Sequence, residues 1–419
     1  MRYHGRMPPT ETTGRRAVVA LAATTAIQIY VSLAATSTAV LAPEIAESFA
    51  IAPKWIGVFV GIVYAGAMVA SLACGGFIER FGAIRVSQFG VLVCAAATLM
   101  IALAPAHATA LLAFGALVVG IGYRPITPAS SHVLIRTAQP HRLALTFSIK
   151  QTGVPAGAAF AGALLPALAL VVGWRIALVI AALSGLAVAA IAQPTQRMLD
   201  ADRNAGRRLS PANVLKPLRD LLKSSTLIEL ALVSFVYAAT QVCLTSFIVV
   251  YLTESLAWSL VGAGFALTAA TVGGVFGRIA WGFVADRIAP PRRVLGIIGV
   301  IAAVCGSVLA FSTPAWPTAA MIGLAVVFGA TAIGWNGVQL AEVARHAPKG
   351  AAGSVTGAAG FITFSGVVAG PPIFALLAMS TGGYRAGFAA FAALSGIGGV
   401  SLLLPRRRTA KMAGASLKR

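Results

Sequence analysis

Gly75-Gly76-Phe77-Ile78-Glu79-Arg80-Phe81-Gly82 and Trp281-Gly282-Phe283-Val284-Ala285-Asp286-Arg287 decide how this chain is read. Each follows an apolar run long enough for a helix to cross a bilayer, which takes roughly 20 residues. Each sets a glycine four residues before an acid–arginine pair, and the two copies lie 207 residues apart. Gly173-Trp174-Arg175 and Gly383-Tyr384-Arg385 repeat at 210, and Gly122-Tyr123 and Gly334-Trp335 at 212. Three landmarks in the same order at nearly one offset mark two internal repeats running in parallel.

Composition sets the solvent. Of 419 residues, 58% are hydrophobic and 10% charged, where an ordinary soluble domain carries about 25% charge. This excludes a soluble enzyme, a disordered chain and a collagen-like chain. We expect an all-α membrane protein of twelve transmembrane helices in two parallel six-helix repeats. The spans fall near 17–41, 55–78, 86–104, 108–134, 143–171, 175–193, 225–252, 258–284, 294–312, 317–343, 350–379 and 385–404. The expected organisation is a tail (1–16), an N-terminal bundle (17–193), a linker (194–224), a C-terminal bundle (225–404) and a second tail (405–419). The linker carries seven Lys/Arg and three Asp. The run at 17–41 is too long for a signal-peptide core and reads as the first span.

The net charge of +21 would suggest nucleic acid on a soluble protein. Here it is a matter of topology. With the N-terminus inside, cytoplasmic segments hold 26 of the 32 Lys/Arg, and external loops hold only Lys54, Arg175 and Arg385. This asymmetry places both termini in the cytoplasm by the positive-inside rule and leaves no nucleic-acid partner to invoke. The four cysteines are scattered in apolar runs and read as packing residues. The 25 arginines against 7 lysines, with abundant alanine, suggest a GC-rich bacterium and hence the cell inner membrane.

The signature resembles that of the major facilitator superfamily, Gly-x-x-x-Asp-Arg-x-Gly followed by basic residues. Here it reads Gly75, Glu79, Arg80, Gly82 and Arg85, with glutamate for the usual aspartate. The second copy keeps Gly282, Asp286 and Arg287 but has Ala289 in place of the later glycine. The resemblance implies a secondary transporter working by alternating access. It implies that Glu79 meets the start of the eleventh span and Asp286 the start of the fifth, gating the cytoplasmic side. Loop charges that merely obey the positive-inside rule are the alternative. Gly153-Val154-Pro155-Ala156-Gly157 is similar in part to the family's antiporter motif. Gly277-Arg278 is similar to the eighth span of its organic-anion and monocarboxylate branches.

Arg124, Lys150 and Arg278 fall inside spans. A charge at a helix centre costs on the order of 3 kcal/mol, and such groups usually face a cavity or partner. Arg124 lies about 18 Å deep, 12 residues before Arg136, with Pro125 and Pro128 following it. Lys150 and Arg278 each lie about 12 Å from a helix end. The family places the fifth and eighth spans face to face, so the two cations could grip one anion. Snorkelling to the interface is the alternative. No mid-membrane acid balances them, which favours an anionic, carboxylate-like substrate; a guanidinium binds a carboxylate as a bidentate fork.

Polar stripes on spans 1, 4, 7 and 10 point to a lined cavity. Gln28, Tyr237, Gln241, Asn336 and Gln339 are its candidates, although interhelical hydrogen bonding is the plainer role of the Ser and Thr between them. His132 and Glu342 are the candidates for proton coupling, with a helix-end role open for both. No metal-ligand spacing and no phosphate-binding loop is present, so we expect no cofactor and no enzyme. The leading expectation is a monomer moving a small organic anion through the lipid bilayer by proton symport or exchange. Proton-coupled multidrug efflux is the runner-up, and a non-transporting sensor on the same fold is the alternative of a different class.

Overall fold

The computed structural model describes residues 9–51, 55–106, 108–206 and 215–405. Apolar composition leaves the backbone no solvent to bond with in a membrane, and helices meet that demand within a single segment. The helices are α1 (Pro9–Val40), α2 (Ala42–Ser48), α3 (Trp55–Phe81), α4 (Ala83–Leu103), α5 (Thr109–Tyr123), α6 (Ile126–Thr137), α7 (Leu143–Gln151) and α8 (Gly153–Leu199). There follow α9 (Lys216–Leu221), α10 (Ser225–Leu256), α11 (Leu260–Arg287), α12 (Pro291–Ala310), α13 (Thr318–Ala332), α14 (Asn336–His346), α15 (Ala352–Thr381) and α16 (Arg385–Leu403). No strand occurs among the described residues.

Among the described residues, eleven continuous stretches are long and apolar enough to span, and one of them, Pro140–Leu199, runs for 60 residues. A straight helix of that length would measure about 90 Å, three times the hydrocarbon core. The chain reverses instead at Gly173, whose φ of 80° only glycine adopts without strain. Gly157 and Gly185 lie on opposite sides of that break, yet both pack on one turn of α1, against Ile29 and Ser32 and against Tyr30. The two arms of α8 are therefore separate crossings, and the spans number twelve.

Three crossings are built from unequal pieces. The fourth is α5 then α6, broken at Arg124-Pro125; the tenth is α13 then α14, broken at Ile333–Trp335. The fifth is α7 followed by the first arm of α8, whose second arm is the sixth. Proline explains two of these breaks, since Pro125 and Pro155 carry no N–H to continue the ladder.

The repeated landmarks have local work. On the membrane face away from the Gly75–Gly82 stretch, Arg175 donates to the carbonyls of Ala102 and Ala104, both at 2.7 Å, closing the end of α4. Arg385 donates to Ser312 O at 3.2 Å, just beyond α12. A cation at a helix C-terminus meets both the free carbonyls and the negative end of the dipole.

On the opposite face, which we call the motif side, α4 begins at Gly82 with φ of 97°. Its free amides are capped by Asp200, which accepts from Ile84 N at 2.8 Å and Arg85 N at 3.0 Å. Burial pushes the Asp200 carboxyl above the ordinary aspartate range, and the amides of Ile84 and Arg85 and the Arg136 charge oppose that shift. Asp202 receives both His132, at 2.7 Å, and Arg136, and Asn204 N donates to Glu79 O at 2.8 Å. The first residues after the sixth span thus strap α3, α4 and α6 together. Residues 207–214 of the expected linker lie outside the described residues.

Asp200→Ala leaves the Ile84 and Arg85 amides at the start of α4 without their partner. We expect about 1–2 kcal/mol of lost stability, read as a lower melting temperature of the purified protein, with Asp200→Asn recovering part of it.

Candidate functional site

The two halves meet along α3 against α15, α7 against α11 and α14, and α6 against α15. Glycine sets these approaches. Gly75 packs directly on Ser354 of α15, while Gly282 and Gly337 both pack on Ser148 of α7. Gly353 lies against Pro128 O and His132 Cβ, at distances a methyl would make 3.1 and 3.2 Å. Asp286 completes the closure by accepting from Ala144 N at 3.0 Å and Leu145 N at 2.7 Å. Its carboxylate thus caps the start of α7 from the other half, where the helix dipole favours a negative charge. Glu79 stands at the end of α3, and Arg80 lies 5.3 Å from the Phe81 ring centroid.

Above these contacts lies a cavity lined from both halves. Arg124 stands in the break between α5 and α6 and is 4% exposed. Its Nε donates to Ser71 Oγ at 2.6 Å and its Nη2 to Thr356 O at 3.4 Å, and the guanidinium lies 4.7 Å from the Phe364 ring centroid. Gly360 clears the space beneath it. Arg278 is 3% exposed. Its Nε donates to Ile333 O at 3.2 Å and its Nη1 to Gln151 O at 2.7 Å. These carbonyls lie at the helix breaks. Gln151 O in particular faces Pro155, which has no N–H to offer it.

The two arginines mirror one another. Arg124 reaches from the first half to α15 of the second, and Arg278 from the second half to α7 of the first. Both line the cavity. Neither Nη1 of Arg124 nor Nη2 of Arg278 takes part in these bonds. Among the described residues, the ion pairs of the chain involve His132, Arg136, Lys223, Arg292, Arg345 and His346. None of these ion pairs among the described residues involves Arg124, Lys150 or Arg278.

Of the other residues expected at the site, Gln241, Asn336 and Gln339 line the cavity. Asn336 Nδ2 donates to Gln241 Oε1 at 3.1 Å, joining spans 10 and 7. Three expected residues do not line it. The Tyr237 hydroxyl donates to Leu295 O at 2.9 Å, inside the second half. Lys150 and Gln28 bond to each other behind the wall, at 2.6 Å. Lys150 is thus absent from the lining that Arg278 was expected to share with it, and Arg124 and Arg278 are both in that lining. His132 and Glu342 also stand outside the cavity. His132 is held by Asp202, and Glu342 by Arg345 at 3.3 Å and His346 at 3.6 Å.

The structure adds Tyr64, Tyr123, Gln151, Trp335 and Phe364 to the lining. Tyr64 and Phe364 meet across the halves with ring centroids 5.8 Å apart. Trp335 Nε1 and Gln339 Nε2 are buried donors without a partner among the described residues. In sequence, the aromatic residues look like packing.

The Major Facilitator Superfamily profile matches residues 24–371. The chain belongs to this superfamily, whose members are membrane transporters and not enzymes. Its fold is similar to that of the Escherichia coli fucose:proton symporter FucP, with a TM-score of 0.73 at 15% identity, over 92% of this chain and 98% of that one. It is similar also to the human organic anion transporter MFSD10 (TETRAN), with a TM-score of 0.74 at 16% identity, over 94% and 100%. A 128-residue stretch is 34% identical to the probable nitrate/nitrite transporter NarK2 of Mycobacterium tuberculosis, strains CDC 1551 and H37Rv. That match spans 30% of this chain and 31% of the relative.

Asp286→Ala removes the cap that joins α11 to α7. With the four native cysteines replaced and Ser148→Cys introduced, we expect maleimide labelling from the motif side to rise roughly tenfold, the equivalent of about 1.4 kcal/mol.

Proposed function

We propose that this transporter moves a small organic anion, carboxylate-like at its head, between the two halves by alternating access. One observation carries the reading: two buried guanidiniums from opposite halves line one cavity, and no carboxylate among the described residues neutralises them. A charge in a membrane interior persists where it has a partner, and the substrate is that partner. The free Nη groups suit a forked carboxylate, and the donors on Trp335 and Gln339 suit further acceptor oxygens. Val242, Leu340, Val367 and Phe364 give the rest of the wall an apolar surface for a hydrocarbon body.

In this reading the motif side is cytoplasmic, as the distribution of Lys/Arg supports. The Gly75, Glu79, Arg80, Gly82 and Arg85 stretch and the Gly282, Asp286 and Arg287 stretch form the cytoplasmic gate between the bundles. Transport is uptake across the bacterial inner membrane by a monomer, coupled to protons or by exchange. A second reading, an inorganic oxyanion such as nitrate or nitrite, is favoured by the name of the partial relative. Efflux of lipophilic cations would more naturally use a buried acid in the cavity, and the described lining contains none.

The test is the melting temperature of the purified protein with acetate, lactate, benzoate, nitrate, nitrite or tetraphenylphosphonium. Binding at a hundredfold excess over Kd stabilises by about 2.7 kcal/mol. We expect a carboxylate to raise the melting temperature and Arg124→Gln and Arg278→Gln each to abolish the rise. A rise with nitrate or nitrite alone selects the second reading. A rise with tetraphenylphosphonium and none with any anion overturns both.

A further inference from the structure

Behind the cavity wall lies a third cation. Lys150 is 1% exposed. Its Nζ donates to Gln28 Oε1 at 2.6 Å and Gln151 Oε1 at 3.2 Å. Thr127 Oγ1 donates to the same Gln28 oxygen at 3.4 Å. Thr127 and Gln151 both line the cavity. The ammonium is therefore separated from the substrate space by Gln151 on one route, and by Gln28 and Thr127 on the other. The backbone carbonyl of Gln151 holds Arg278.

The charged neighbours are accounted for element by element. Helix α7 packs on α1, α6, α8, α11 and α14. Helix α11 brings Arg278 and, at its end, Asp286 and Arg287, with Asp286 committed to the far end of α7. Helix α14 brings Glu342, engaged with Arg345 and His346. Helix α6 brings His132 and Arg136, both on Asp202, and Arg124 precedes it. Helix α1 has Glu11, Arg15 and Arg16 near its start, all 12 or more residues from Gln28, and α8 has Arg175 and Arg197 beside its bend and its end. Among the described side chains, none of the carboxylates of these groups pairs with Lys150.

Of the three buried cations, the two guanidiniums cannot give up a proton, whereas a lysine amine can. An uncompensated buried charge is costly. Lys150 is thus the group able to match the charge of the site to its occupancy. We infer that Lys150 carries the coupling proton, bound as ammonium while an anion lies against Arg124 and Arg278 and released when the anion leaves. This inference rests on the anion reading. The Gln28 amide serves both forms. Its oxygen accepts from the ammonium, and its Nε2, which has no partner among the described residues, donates to the neutral amine after a half-turn. One proton and one monovalent anion enter and leave together, so the cycle moves no net charge.

Calorimetric titration of the purified protein with acetate, lactate and benzoate, in two buffers of different ionisation enthalpy, counts the protons taken up on binding. Wild type is expected to take up about one proton per anion. Lys150→Arg, with a fixed charge and the donors retained, is expected to bind within a few-fold of wild type and take up none. Lys150→Met is expected to bind more weakly and also take up none. A lysine that only positions Gln28 and Gln151 would leave proton uptake intact in Lys150→Arg, which overturns the inference and spares the anion reading. Binding to wild type without proton uptake does the same. No binding of any of the three carboxylates overturns both.

Discussion

A guanidinium inside a membrane must be held from several sides, and this molecule holds two in one place. Arg124 and Arg278 are each braced against the opposite half of the chain, by Thr356 O and Gln151 O. The same side chains that offer charge to a ligand therefore tie the halves together. A ligand that draws on the free nitrogens of both would act on the struts of the interface as well as on the site. That links binding to the relative position of the halves through contacts already in place, the differential interaction that any ligand-driven change of state needs.

The helix breaks make this bracing available. Proline at 125 and 155 and the turn at Ile333–Trp335 interrupt spans 4, 5 and 10 at the level of the cavity. Irregular backbone at membrane depth is tolerated where it lines a cavity or is buried in protein. Here the freed carbonyls of Gln151 and Ile333 accept from Arg278. Closure below the cavity rests on close backbone approach at Gly75, Gly282 and Gly337 and on the Asp286 cap. Asp200 plays a different part, capping the start of α4 within its own half.

Much of this was legible in the sequence, for definite reasons. Apolar runs of bilayer length are separated by short loops, so the spans could be counted, and the twelve crossings hold even where one apolar stretch joins two of them. Arg124 and Arg278 were legible because a charge in an apolar run is rare and costly. Depth could be read from residue count, but azimuth could not. Lys150 lies deep, as expected, yet points behind the wall to Gln28, because a span that is apolar on every face gives no phase. Tyr237 sits on a polar stripe and still turns to Leu295 O. The contacts of Asp200 and Asp202 join residues more than 60 positions apart, which no local pattern encodes. Trp335, Tyr64 and Phe364 were hidden because an aromatic residue in a membrane helix looks the same whether it packs or lines a cavity.

The central claim is that an anion sits between Arg124 and Arg278. Crystals grown with bromoacetate, measured at the bromine absorption edge, locate the ligand directly. The account predicts one strong anomalous peak in the cavity, with the carboxylate within hydrogen-bond distance of both guanidiniums. A peak elsewhere in the molecule, with both arginines bonded only as they are now, would contradict it.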